Sequence, residues 1–389
     1  MGRIERIEIM KDIENMNASK LICYITSDRQ GGINARIGQD AVRPLYNHLL
    51  SLEEIPVKRI DLFVYSRGGD VSVPWRIISM IREFCQELYV LVPYKAHSAA
   101  TMIALGADKI VMGKKAELGP IDPTLERRTT GEATNPPQEI SVEDVSSYVS
   151  FMKERANLND QNALATVISL LANHLTPLTL GSVNRQYSHI RLVARKLLTS
   201  RIVRMDEDRI NAIIEALTEK MYSHGHAIGR KEATELGLPV LIPEQTLEQK
   251  MWELYEQYEN AFKLTNIFDV ETLLGQQEEL TINNLTIACI ESIKRLDTFT
   301  HNLAIRRKRQ IPQNPQLNFN LNISLPSNID LQKIPQESHQ ILQNITNQIS
   351  QILPHLIKQE LRSQCPEIGI EQKLFGGGWG EKDDITNPY

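Results

Sequence analysis

Two short stretches of this chain hold the residue types that acyl-transfer chemistry needs. The first is Tyr65-Ser66-Arg67-Gly68-Gly69-Asp70-Val71, which follows an apolar run and opens a helical one. Paired glycines at such a place let backbone N–H groups approach a ligand oxygen closely, which is how an oxyanion hole is built. The same pair also suits a tight turn, or a turn that cradles a phosphate. The second stretch is Ala96-His97-Ser98-Ala99-Ala100-Thr101, again between an apolar run and a helix. A side chain at such a junction points outward, and the helix end favours an anion forming beside it. Small neighbours leave room for a substrate carbonyl at Ser98, although a serine here also reads as a helix N-cap.

The elements that must carry these residues alternate. Apolar runs at 21–25, 60–65 and 88–92 read as buried strands, and Trp75, Ile77, Ile78, Met80, Ile81 and Phe84 recur at helical spacing between the second and third. Residues 99–105 read as a helix and 109–112 as the next strand, so repeated βα units predict a largely parallel sheet. The two stretches, each following one of two successive strands, then lie side by side in a parallel sheet. From about 141 to 217 the spacing is helical, and a short helix at 232–236 stops at Gly237 before Pro239. We expect a compact domain over 1–265, a helical extension over 266–309, and an Asn/Gln-rich, largely disordered tail over 310–389 with a helix at 341–361. The terminal Phe375-Gly376-Gly377-Gly378-Trp379-Gly380 reads as a docking peptide or a linker.

Taken in order, Tyr65-Ser66-Arg67-Gly68-Gly69-Asp70, then His97-Ser98-Ala99-Ala100-Thr101-Met102-Ile103-Ala104-Leu105-Gly106-Ala107-Asp108, resemble the Clp-protease and crotonase superfamily. Leu118-Gly119-Pro120-Ile121-Asp122-Pro123 and the Glu232-Ala233 to Gly237-Leu238 stretch narrow the resemblance to the serine dehydrogenase proteinase family, over about 21–240. The fold implied is α/β, Clp-protease/crotonase-like, with repeated ββα units, a mainly parallel sheet and a helical, partly disordered C-terminal extension. The resemblance implies Ser98 as nucleophile, with backbone amides of Gly68, Gly69 and Ala99 as the oxyanion hole. It also implies a reordered triad, with Asp122 orienting His224 as general base. His226, or a lysine among Lys95, Lys114, Lys115 and Lys153, is the alternative base. Arg67 replaces the apolar or proline residue usual in that turn, and as a fixed cation it suits acidic substrates or an interface.

Length and composition fit this frame. A chain of 389 residues holds a catalytic domain with an appendage, and 41% hydrophobic with 23% charged residues is ordinary for a globular protein. A net charge of -5 argues against a nucleic-acid surface, and the basic run Arg306-Arg307-Lys308-Arg309 suits an acidic partner or plain solvation. Cys23, Cys85, Cys289 and Cys365 are scattered without CxxC pairing, and His224 and His226 lack a Cys or acidic cluster, so neither a metal nor another cofactor is expected. With no leader and no span of about 18 apolar residues, the expectation is a cytoplasmic protein. The expected activity is serine-type peptidase, acting on a peptide or protein substrate as a homo-oligomer whose tail takes a protein partner. The alternatives are a catalytically silent scaffold and a crotonase-like acyl-thioester enzyme that uses the same amides without Ser98.

Overall fold

A computed structural model describes residues 2–121, 124–127, 138–158, 160–175, 177–220, 225–312 and 334–387. The chain begins with α1 (Arg3–Asn17), β1 (Lys20–Thr26), α2 (Val42–Leu50), β2 (Val57–Tyr65), α3 (Val73–Arg82) and β3 (Cys85–Val92). There follow β4 (Lys95–Ala96), α4 (Ala99–Leu105), β5 (Lys109–Met112), β6 (Glu117–Leu118), β7 (Thr124–Arg127) and β8 (Gln138–Ser141). Four helices come next, α5 (Val142–Glu154), α6 (Gln161–His174), α7 (Pro177–Thr199) and α8 (Glu207–Glu215), then β9 (Ile228–Gly229), α9 (Arg230–Glu235), β10 (Val240–Leu241) and α10 (Gln245–Phe262). The last elements are α11 (Val270–Leu274), β11 (Glu279–Glu291), β12 (Leu296–Arg309), α12 (Ile334–Gln364) and β13 (Glu367–Glu381).

The main sheet runs β10-β5-β3-β2-β1-β11-β12-β13. Its strands are parallel from β10 to β1, and β11 pairs with β1 antiparallel. Register is set early, with Ile22 opposite Leu62 and Leu62 opposite Val90. The strands read as unbroken apolar runs because both faces are covered. Ile22, Tyr24, Leu62, Val64 and Val90 pack under α3, α4 and α7 on one side. Leu21, Cys23, Ile25, Phe63 and Tyr65 pack against Met10 and Ile13 of α1 and the Met251, Leu254 and Tyr258 face of α10 on the other. The expected α/β class with a mainly parallel sheet is what the structure shows. A second, small sheet, β4-β6-β9, stands beyond the C-terminal ends of β2 and β3 and carries the residues of interest.

Two compact units divide the chain. One comprises Met1–Phe268, Asn284–His301 and Gly376–Tyr389, and the other Asp269–Asn283 and Asn302–Phe375. These boundaries differ from the expected 1–265, 266–309 and 310–389. The extension over 266–309, expected to be helical, is instead the short α11 followed by the strand hairpin β11–β12. Seven consecutive residues of β11, 285–291, are buried, and a strand buried on both faces loses the period-two alternation that would distinguish it from a helix. Its Thr281, Ile282, Thr286, Ile287 and Ile290 favour the extended form once the free edge of β1 offers a partner. The glycine-rich stretch with Trp379 is strand β13 rather than linker or docking peptide, and α12 contains the 341–361 segment. The expected disorder at 313–333 lies outside the described residues.

Candidate active site

Ser98 is the first residue of the turn from β4 into α4, at φ 52° and ψ −116°. Few L-residues adopt that conformation, and holding one there costs roughly 1–3 kcal/mol. Surrounding structure fixes it. The His97 N–H donates to Ser66 O at 3.0 Å, the Ala100 N–H to His97 O at 2.9 Å, and the Met102 N–H to Ser98 O at 3.0 Å. The Ser98 hydroxyl makes no capping hydrogen bond to the helix, which removes the N-cap reading. It is half-buried on a sharp strand-to-helix turn, the backbone setting of a nucleophile elbow.

The glycine pair lies directly against it. Gly68 has φ +104°, and a Cβ there would sit 2.7 Å from both Ser98 Cβ and His97 O, so no larger residue fits. A Cβ on Gly69 would collide with the Ile37 backbone. Ile37 donates to Gly68 O at 2.9 Å and accepts from the Asp70 N–H at 2.8 Å. By the alternation of a strand, the Gly69 N–H therefore faces the side away from Ile37. The Gly68 N–H, one of the three expected oxyanion donors, is already given to Ser66 Oγ at 3.0 Å, and Ser66 Oγ also accepts from Thr26 Oγ1 at 2.8 Å. Among the expected donors this leaves the amides of Gly69 and Ala99, the latter an N-terminal helix amide with no acceptor inside its own helix.

Thr101, fully buried, ties the third wall in place. Its hydroxyl lies 2.7 Å from Ala96 O and 2.9 Å from Gly119 O, with one proton to give between them, and accepts from the Gly119 N–H at 3.0 Å. His97 brings Nε2 to 3.2 Å from Glu117 Oε1. Burial pushes its imidazole below the usual range, against the opposing pull of Glu117. Sequence reading did not find Thr26, Ile37, Ser66 or Thr101 as supports. Only Ser66 and Thr101 stand within the motifs, and the other two reach the site by long-range pairing.

Asp122 and His224, the expected acid and base, lie outside the described residues. Their anchors are described. The Ile121 N–H donates to Leu217 O at 3.0 Å, and in the small sheet Leu118 pairs with Ala96 on one side and Ile228 on the other. The alternative bases have other partners. His226 Nε2 is 2.9 Å from Glu232 Oε1, Lys95 Nζ is 2.8 Å from Asp28 Oδ2, and Lys114 Nζ is 3.5 Å from Glu248 Oε2. Lys115 Nζ sits 4.7 Å over the Tyr94 ring, and Lys153 is exposed on α5. Among the described residues no group of three or more His, Cys, Asp or Glu could hold a metal ion. No described helix is long and apolar enough to cross a membrane.

Comparison with known proteins returns the family recognised from the motifs: residues 3–176 match the ClpP-like SDH-type serine proteinases. Two uncharacterized proteins of Methanocaldococcus jannaschii are similar. One is 27% identical over 268 residues, covering 66% of this chain and 80% of its own length. The other is 21% identical over 264 residues, covering 66% and 77%. Among solved structures, an alanine mutant of the 1510-N membrane-bound stomatin-specific protease aligns over 60% of this chain and 85% of its own, at 14% identity and TM-score 0.30. A second mutant of that protease, in complex with a substrate peptide, aligns over 38% and 65%, at 19% identity and TM-score 0.24.

Proposed function

We propose that this chain, matched over residues 3–176 to the ClpP-like SDH-type serine proteinases, is a serine peptidase that cleaves peptide bonds through an acyl-enzyme on Ser98. The observation that carries this reading is the Ser98 turn, with its costly backbone and uncapped hydroxyl against Gly68. An acyl-thioester enzyme would use the two amides without needing that serine conformation, so the peptidase reading is favoured.

In the proposed reaction Ser98 Oγ attacks the peptide carbonyl, and the Gly69 and Ala99 N–H groups hold the oxyanion. His224 takes the serine proton and passes it to the departing amine, while Asp122 fixes the imidazole tautomer. Water then hydrolyses the ester on Ser98. Chain connectivity supports the two unplaced partners. The segment carrying position 224 leaves Leu217, bonded to Ile121, and returns at Ile228, opposite Leu118. Both ends are thus fixed to the stretch that leads into position 122, one strand away from the turn that holds Ser98.

A fluorophosphonate probe tests the assignment. The wild-type chain, first sized to establish its assembly, is expected to be labelled at Ser98 and to cleave unstructured peptides. Ser98→Ala should lose both, and His224→Ala should lower peptide cleavage at least ~10²-fold. Peptide cleavage that survives Ser98→Ala would overturn the reading.

A further inference from the structure

At the opposite end of the sheet, the first residues of β1 and β2 border a cavity of about 680 Å³. That is the size of a small-molecule site. Strand β2 alone separates it from the Ser98 turn by roughly 30 Å. Three residues meet at its wall. His48 Nδ1 is 2.8 Å from Ser292 Oγ, and His48 Nε2 is 3.1 Å from Asp297 Oδ2. Imidazole and carboxylate are buried, with side-chain exposures of 0% and 3%, whereas Ser292 is half-buried and lines the cavity. We propose that Ser292, His48 and Asp297 form a second nucleophilic site, acting on small carboxylic esters independently of Ser98.

The protonation pattern is set by the neighbours. Asp297 is bonded in a fork by Arg295 through Nε and Nη2. Burial acts to raise its carboxyl, but the adjacent His48 ring and the Arg295 fork outweigh it and hold the group below the ordinary carboxylate range. Asp297 approaches His48 Nε2 to 3.1 Å as a charge neighbour without hydrogen-bond geometry, and a carboxylate beside that nitrogen favours the ring proton there, which leaves Nδ1 to accept from Ser292. The ring is reversed relative to the usual serine-hydrolase arrangement, yet the chemistry requires only one bare nitrogen facing the hydroxyl and a carboxylate beside the other.

Ser292 stands at the tip of the β11–β12 hairpin. Its N–H donates to Arg295 O at 2.8 Å and the Arg295 N–H returns at 3.2 Å. The two residues between, Ile293 and Lys294, also line the cavity, and their N–H groups have no hydrogen-bond partner among the described residues. The amide after the nucleophile is thus open to an oxyanion, as at Ser98. In the reaction Ser292 Oγ bonds to the ester carbon as the carbon–alkoxide bond breaks. The serine proton passes to His48 Nδ1 and then to the leaving alcohol. Water hydrolyses the new ester, releasing the acid and restoring the serine.

The test uses the intact chain treated with a fluorophosphonate probe, with labelled serines located by peptide mapping. Two labelled peptides are expected, one containing Ser98 and one containing Ser292. Labelling at Ser292 should fall at least tenfold in His48→Gln and stop in denaturing urea, with labelling at Ser98 unaffected by Ser292→Ala. Ser98→Ala should retain 4-nitrophenyl acetate hydrolysis that Ser98→Ala/Ser292→Ala lacks. No label at Ser292 in the native chain overturns the proposal, as does labelling that persists in urea. Because the two serines are read separately, failure at one is distinct from failure at the other.

Discussion

At the residue scale, the site depends on what Gly68 lacks. Its positive φ and its approach to Ser98 leave no room for a methyl group, so Gly68→Ala must move the serine, the peptide before it, or the glycine turn. Gly68→Ala is expected to abolish Ser98 labelling by fluorophosphonate and to lower the melting temperature. A fully labelled Gly68→Ala protein would show that the turn and Ser98 are not in contact. Ser98 and the glycines were legible in the sequence because their geometry is local: small residues at strand-to-helix junctions. Gly68 as an amide donor was not, because Ser66 takes that N–H only once Thr26 and the β2 end are brought together. The Ser292, His48 and Asp297 group was invisible for the same reason, since Ser292 and His48 are 244 positions apart.

At the element scale, α1 is attached to the sheet by a buried ion cluster as well as by Met10 and Ile13. Arg6 Nε is 2.8 Å from Glu291 Oε2, and the Tyr258 hydroxyl donates to the same oxygen at 2.8 Å. Removing Arg6 leaves the buried Glu291 with only the more distant Arg3, 3.5 Å away, and breaking a buried pair costs roughly 3–5 kcal/mol. Arg6→Met should therefore lower denaturant stability by about that amount, and Arg6→Met/Glu291→Leu should recover most of it. If the single variant unfolds at the wild-type midpoint, the cluster does not anchor the helix. The parallel strands β1, β2, β3 and β5 were readable because each is a short apolar run bounded by polar or glycine residues. The β11–β12 hairpin was not, since its form depends on the edge of a strand more than 250 positions earlier, with Cys23 opposite Glu291.

At the scale of the whole molecule, residues 376–389 belong to the compact unit that begins at the N-terminus. Trp379 Nε1 donates to Asp40 Oδ2 at 2.7 Å, and its ring lies 6.4 Å from Tyr24 and 5.4 Å from Phe299. Trp379→Ala is expected to lower stability by ~2 kcal/mol, about half the usual loss for a fully buried aromatic because the ring is only half-buried. An unchanged thermal midpoint would mean the last strand is not part of that unit. Composition could not show this. Four glycines and two aromatics resemble a flexible linker until a partner strand is found for them.

That arrangement also imposes an order on biogenesis. Asp384 accepts from the Arg3 backbone and lies 2.8 Å from Arg6 Nη2, a contact spanning 378 positions. At ribosomal speeds this separation takes roughly 20–75 s to synthesise. During that interval Arg6 lacks Asp384, and until a point 285 positions after itself it lacks Glu291 as well, so the charged side of the first helix stays unpaired for most of that time.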